Sequence, residues 1–252
     1  MAETALITGA SAGIGEEFAK QLAARGYDLI LVARREDRLK ELAEQLPTKA
    51  TVIACDLATE ADKVPVKVKG RGLQVDLLVN NAGFGSRGHF VEFDPKRDAE
   101  MIRINCEAVV TLTHAFLPAM IERDSGGVIT VASTAGMQPL PYESTYGASK
   151  AFAISFMEAL WMELHDTGVK CLVVNPGPVK TEWQDVAGYD DNTPIPPGMI
   201  TAERCVKDAL RAYDHNKRST VTGRFFPWFM RAAVGPKGVK LRVAERMYRP
   251  RS

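Results

Sequence analysis

The chain has little of what staples or ligates a fold. Its four cysteines, Cys55, Cys106, Cys171 and Cys205, stand far apart with no CxxC pair. That is the pattern of reduced intracellular thiols, not of a disulfide frame or a zinc site. His89, His114, His165 and His215 are as scattered, so nothing indicates a metal. The net charge is only +1, which gives no global reason to expect a nucleic-acid partner. Neither a basic leader nor a long apolar run follows Met1, so neither secretion nor a membrane span is expected, and the expected location is cytoplasmic. The bulk composition is ordinary: 252 residues, 46% hydrophobic and 25% charged, suit one sizeable core. The imbalance is local, because Lys217 to Ser252 holds ten basic residues against the single acid Glu245.

The first third reads as a phosphate cradle. A short apolar run, Thr4 to Thr8, meets Gly9-Ala-Ser-Ala-Gly13-Ile-Gly15, and a helical pattern with Phe18, Ala19, Leu22 and Ala23 on one face follows and stops at Gly26. In that context glycines let the backbone approach a pyrophosphate, and the helix end offers free N–H groups. Ser11 and Ile14 lie in the same turn. Tyr27 to Ala33 is the next buried strand, and its end carries Arg34 and Arg35 where an acid would read the ribose of NAD. A guanidinium suits a 2′-phosphate, so NADP(H) is expected over NAD(H); the alternative is that the arginines only begin the charged helix after them. Lys49 to Cys55 is a third strand, and Asp56-Leu57 at its end either meets adenine or caps TEADK. Pro65 should shorten or displace the helix expected next.

The middle supplies reacting groups. Val75 to Val79 runs into Asn80-Asn81-Ala82-Gly83, small and amide residues against which a flat ring can lie. Asn105 stands inside a helical run around Ile102 to Ile121, where its poor propensity asks for a reason: a local distortion or bound water near a cofactor, or simple exposure. Gly127 to Ala132 is a fifth strand that delivers Ser133, and Tyr146 and Lys150 follow four apart, on one face of a helix. A neighbouring ammonium favours a phenolate, so the Tyr146 pKa is expected to fall towards the working range of a general acid or base.

TGxxxGIG at Thr8 to Gly15, NNAG at Asn80 to Gly83, Asn105, Ser133, YxxxK at Tyr146 and Lys150, and Asn175-Pro-Gly177 together resemble the short-chain dehydrogenase/reductase family, over residues 3 to 181 and in family order. The resemblance implies hydride transfer between nicotinamide and a carbonyl or alcohol carbon. It gives Tyr146 the role of general acid or base and Ser133 that of holding the reacting oxygen. Lys150 would tune the phenol and bond the nicotinamide ribose, and Asn105 would keep a water in a proton relay. Pro176, Gly177, Val179 and Thr181 would lie along the nicotinamide and phosphates, and a homodimer or homotetramer is expected. A non-catalytic NADP(H) sensor or scaffold on the same fold is the alternative, which the complete Asn-Ser-Tyr-Lys set disfavours.

The expected architecture is one α/β domain over residues 1–223, a Rossmann-type doubly wound, mainly parallel sheet of six to seven strands with helices on both faces. A sixth strand lies at Lys170 to Val174, Thr201 caps a helix running to Tyr213, and Thr220 to Thr222 makes an edge strand. Residues 182–199, rich in Pro and Gly and without a period, read as a substrate flap whose Trp183 and Tyr189 suggest an apolar substrate. The basic, aromatic extension 224–252 either packs on the domain or meets a partner, an acidic substrate or an anionic membrane surface.

Overall fold

The computed structural model describes residues 2–182, 187, 199–223 and 245. Most of the segment read as a flap, with Trp183 and Tyr189, and most of the basic extension lie outside the described residues.

Strands β1 (Thr4–Thr8), β2 (Asp28–Ala33), β3 (Ala50–Ala54), β4 (Leu77–Asn80), β5 (Gly126–Val131), β6 (Val169–Pro176) and β9 (Ser219–Thr222) form one sheet in the order β3-β2-β1-β4-β5-β6-β9. Every pairing in it is parallel. The strands are buried on both faces, and alternate residues feed two cores. Ala5, Ile7, Leu29, Leu31, Leu77, Val79, Leu172 and Val174 pack under helices α1 (Gly13–Ala24), α2 (Glu36–Gln45) and α8 (Ala202–Asp214). Leu6, Ile30, Val32, Leu78, Val128, Cys171 and Val173 pack under α4 (Lys63–Gly70), α6 (Ala108–Glu122) and α7 (Ser144–Glu163). Fully burying Phe18 and Leu22 on one side and Met157 on the other contributes about 1.5–3 kcal/mol per side chain.

The chain order reverses direction between β1 and β4, and in such sheets the crevice at the carboxyl ends of these two strands is where ligands gather. Pro65 is accommodated as the sequence suggested. The connection breaks into a single turn, α3 (Leu57–Glu60), and then α4, with Pro65 in the first turn of α4, where a missing N–H leaves no hydrogen bond unmade. Thr201 caps α8 by accepting from the Arg204 N–H at 3.2 Å.

Two features were not foreseen. Val179–Lys180 (β7) and Ile200–Thr201 (β8) pair as a small parallel sheet that joins the two ends of the 182–199 segment. The helix Pro95–Glu122 is also longer and more apolar than the sequence reading allowed, enough by length and composition to cross a membrane. Met101, Leu112 and Met120 are nevertheless fully buried in the protein, as in a core helix.

Candidate active site

The site is built from four loops at the carboxyl edge of the sheet. Thr8, the last residue of β1, ties two of them together. Its hydroxyl donates to the Val79 carbonyl at 3.3 Å and accepts from the Asn81 and Ala82 N–H groups at 2.9 and 3.0 Å. The Asn81 amide returns the contact, donating to Thr8 O at 2.9 Å and Gly9 O at 3.4 Å. This closeness is why glycine stands at positions 9 and 15. Gly9 has φ +66°, and a Cβ there would lie 2.9 Å from the Ala82 backbone; a Cβ on Gly15 would run into the Gly9 carbonyl. From the far side of the crevice the Thr181 methyl closes to 3.1 Å of where a Gly13 Cβ would be. A narrow cradle of backbone at the amino end of α1 therefore joins Gly9, Ser11, Gly13, Ile14, Gly15, Asn81, Ala82 and Thr181. The first N–H groups of α1 receive no side-chain cap. Such a cradle fits a phosphate-bearing dinucleotide.

At the end of β2 the two arginines part company, since successive residues leaving a strand point to opposite faces. Arg34 reaches Glu100 of α5 (Pro95–Ile102) at 3.5 Å. Arg35 turns to the glycine loop, donating through Nε to Ser11 Oγ at 3.3 Å and through Nη2 to Ser11 O at 3.4 Å. Arg38, which the sequence reading passed over as part of a charged helix, joins Arg35 on one carboxylate, that of Glu182. Asp56 caps α3, accepting from the Ala58 N–H at 3.0 Å, and Leu57 beside it is buried.

Asn105 is not a solvated residue. It is 1% exposed and sits in a π-helical turn, Arg103–Glu107, wedged between α5 and α6. Such wide turns inside α-helices recur at functional sites. Its amide donates to Phe84 O at 3.0 Å and to Ser149 Oγ at 2.9 Å, while Oδ1 accepts from Phe84 N at 3.2 Å. The extra residue of the turn aims this side chain at the loop after β4 and at α7 together. Between Asn105 and Lys150 lies Gly83, whose missing Cβ would sit 2.8 Å from Asn105 Oδ1 and 3.2 Å from Lys150 Nζ.

Ser133 leaves β5 in an extended conformation, and its hydroxyl accepts from the Ala135 N–H at 3.1 Å. The turn after it lies flat on α7, because Gly136 puts only a hydrogen where a Cβ would be 2.5 Å from the Lys150 carbonyl carbon. Thr134 Oγ1 donates to Pro176 O at 3.2 Å and fastens that turn to the Pro176-Gly177 bend beside Val179. The Ser133 hydroxyl lies near enough to the Tyr146 phenol to influence its ionisation.

The electrostatics correct one expectation. Lys150 Nζ is 5.9 Å from the Tyr146 ring centroid and donates to Val131 O at 2.9 Å. Both residues are buried, so the medium opposes charge on each. Burial pushes the Tyr146 phenol well above its usual range; the Ser133 hydroxyl opposes this and Glu143 adds to it. Burial likewise draws Lys150 down to about 8, with the Cys106 thiol acting weakly the other way. Burial, not the neighbouring ammonium, sets the direction of this shift.

The arrangement thus gathers Ser133, Tyr146, Lys150 and Asn105 under one crevice and the glycine loop beside it, with Arg34 and Asp56 at the margin. Thr8, Arg38 and Ser149 are the members that single-residue reading did not mark. Thr8 alone had a signal, as the hydroxyl at the end of the strand before the glycines.

Residues 3–191 match the family model described as short chain dehydrogenase. An uncharacterised oxidoreductase from Staphylococcus epidermidis is 35% identical over 192 residues, covering 75% of this chain and 83% of that one. A very-long-chain 3-oxoacyl-CoA reductase from Pyrenophora tritici-repentis is 36% identical over 208 residues, 79% of this chain and 61% of the longer relative. Among solved structures, a short-chain dehydrogenase from Sphingobium yanoikuyae in complex with NADPH is similar with a TM-score of 0.80, at 32% identity and 87% coverage of both chains.

Proposed function

This chain belongs to the short-chain dehydrogenase family, and from that premise we propose that it is an NADP(H)-dependent carbonyl reductase or alcohol dehydrogenase with Tyr146 as its general acid and base. The observation that carries this reading is the placing of Ser133 at the end of β5 and of Tyr146 and Lys150, both buried, on α7, with Gly83 between Lys150 and Asn105 at the mouth of a glycine cradle. When bound, the nicotinamide supplies or accepts the hydride.

The chain's own residues do the rest. Gly9, Ser11, Gly13, Ile14 and Gly15 hold the pyrophosphate on the amino end of α1, with Thr181 across from them. Arg35, backed by Ser11, and Arg38 hold the 2′-phosphate, and Arg34 stands at the outer edge of the same end. Asp56 and Leu57 border the adenine. Asn81, Ala82, Gly83, Pro176, Gly177 and Val179 line the nicotinamide half.

Ser133 Oγ holds the carbonyl oxygen beside the phenol. Tyr146 keeps its proton through the neutral range, because burial opposes the phenolate, and gives it to the oxygen as negative charge develops there. Lys150, with a value of about 8, is mostly charged at neutral pH and stabilises the phenolate once the proton has gone. Asn105 fixes the Phe84 backbone and Ser149, and so sets the gap at Gly83 through which Lys150 meets the crevice.

The substrate is a carbonyl compound or alcohol with an apolar part; the Pyrenophora relative is named for one such class, very-long-chain 3-oxoacyl-CoA. A second copy of the chain is the partner best suited to the apolar side chains left exposed on α6 and α7, Val110, Phe152 and Met162, giving a homodimer or homotetramer. The free thiols suit a reducing, cytoplasmic setting. The test is NADPH consumption over a panel of ketones, aldehydes, fatty acyl and steroid-like carbonyls, run in parallel with NADH. Turnover of at least one carbonyl with NADPH, faster than with NADH, is expected; no turnover with either cofactor across the panel would refute it.

A further inference from the structure

Glu182 occupies the two arginines read above as the 2′-phosphate holders. Its Oε2 accepts from Arg35 Nη1 at 3.1 Å and its Oε1 from Arg38 Nη1 at 2.7 Å, so one carboxylate bridges two guanidinium groups. Glu182 comes from a part of the chain 147 residues away from Arg35. It is delivered there by Thr181, whose side chain rests on Gly13 at the top of the glycine loop. Arg35 is already oriented by Ser11, through Nε and Nη2, before any ligand arrives.

The pair is therefore a preformed two-arginine anion site at the end of a dinucleotide cradle, filled by the chain's own carboxylate. A carboxylate and a phosphomonoester engage guanidinium forks in the same bidentate way. The phosphomonoester brings more charge, about −1.5 to −2 against −1. It therefore replaces the carboxylate in a shared site.

We propose that Glu182 is an intramolecular competitor of the 2′-phosphate, a carboxylate that NADP(H) displaces from Arg35 and Arg38 and that NAD(H), lacking this phosphate, leaves in place. Glu182 thereby lowers the chain's discrimination for NADP(H) below what the two arginines alone would give. The inference rests on the reading of this end of the cradle as the 2′-phosphate site. All three side chains are about half exposed, so the competition is screened by water and salt, and its size is modest.

The experiment measures dissociation constants for NADPH and NADH by fluorescence titration of the full chain as wild type, Glu182→Gln and Arg35→Ala, with thermal midpoints to check folding. Glu182→Gln is expected to tighten NADPH by roughly three- to tenfold and to change NADH less than about twofold, with the difference shrinking as salt is raised. An equal shift for both cofactors, no shift for NADPH, or a loss of NADH affinity alone would each overturn the proposal. Arg35→Ala separates it from the reading beneath it. If that variant binds NADPH as wild type does, the 2′-phosphate site is elsewhere and both ideas fall. If it weakens NADPH while Glu182→Gln fails to tighten it, the competition alone is refuted.

Discussion

Replacing Asn105 by Ala probes how a local helix defect supports the site. The substitution removes two donated hydrogen bonds, to Phe84 O and Ser149 Oγ, and one accepted from Phe84 N. Each such bond contributes about 1 kcal/mol net, and part-buried groups left without a partner cost about 1–3 kcal/mol. Ser149 keeps its own bond to Tyr146 O, at 2.7 Å, so the loss falls mainly on the Phe84 backbone. The total is about 3 kcal/mol, which at this chain length lowers the thermal midpoint by roughly 6–12 °C. Ser149→Ala, which spares both Phe84 bonds, should cost only about 1 kcal/mol. Because Phe84 follows Gly83, where Asn105 and Lys150 converge, kcat should also fall by about tenfold or more in the Asn105 variant. Urea unfolding and steady-state reduction of a carbonyl substrate read the two effects. An Asn105→Ala protein with stability within about 0.5 kcal/mol of wild type and unchanged kcat would show that the wide turn holds nothing in place.

Two further outcomes follow from the same geometry. Lys150 in the fold titrates at about 8, below the roughly 10.4 of an unfolded lysine, so between those values the unfolded chain binds more protons and stability rises with pH. Urea melts from pH 8 to 10 should show wild type gaining on Lys150→Met by up to about 1.4 kcal/mol per pH unit; a pH-independent difference would mean that the ammonium is not desolvated. The raised Tyr146 value acts with the opposite sign, and only above about pH 10. Gly15→Ala must push its Cβ into the Gly9 carbonyl and to 2.5 Å from Asn81 Nδ2, so the cradle opens. NADPH affinity should drop by about a hundredfold, while the fold loses only the roughly 1–3 kcal/mol of a local overpacking; unchanged binding would place the dinucleotide elsewhere.

Much of this architecture could be read from the residues because local and tertiary signals agreed. Apolar runs such as Thr4 to Thr8 and the glycines after them admit one strand–turn–helix reading, and Pro65 broke its helix where proline must. Asn105 could be flagged by its poor helix propensity, yet nothing nearby in sequence revealed that Phe84 and Ser149 were its partners. The Tyr146–Lys150 spacing correctly suggested a shared helix face. It misjudged the electrostatics, because spacing carries no information about desolvation, and burial governs both groups. Arg38 and Glu182 were missed for a similar reason. Each looks like an ordinary surface charge until the fold brings residues 38 and 182 within 2.7 Å.

The central claim is that the Tyr146 phenol delivers the proton in carbonyl reduction, and Tyr146→Phe tests it most directly. Removing one hydroxyl leaves the ring, its packing and the glycine cradle in place. The variant should bind NADPH within about threefold of wild type while kcat for a turned-over carbonyl falls by about a thousandfold or more, in the upper part of the range expected for loss of a general acid. A variant that binds NADPH normally and retains more than about a tenth of wild-type kcat would contradict the claim.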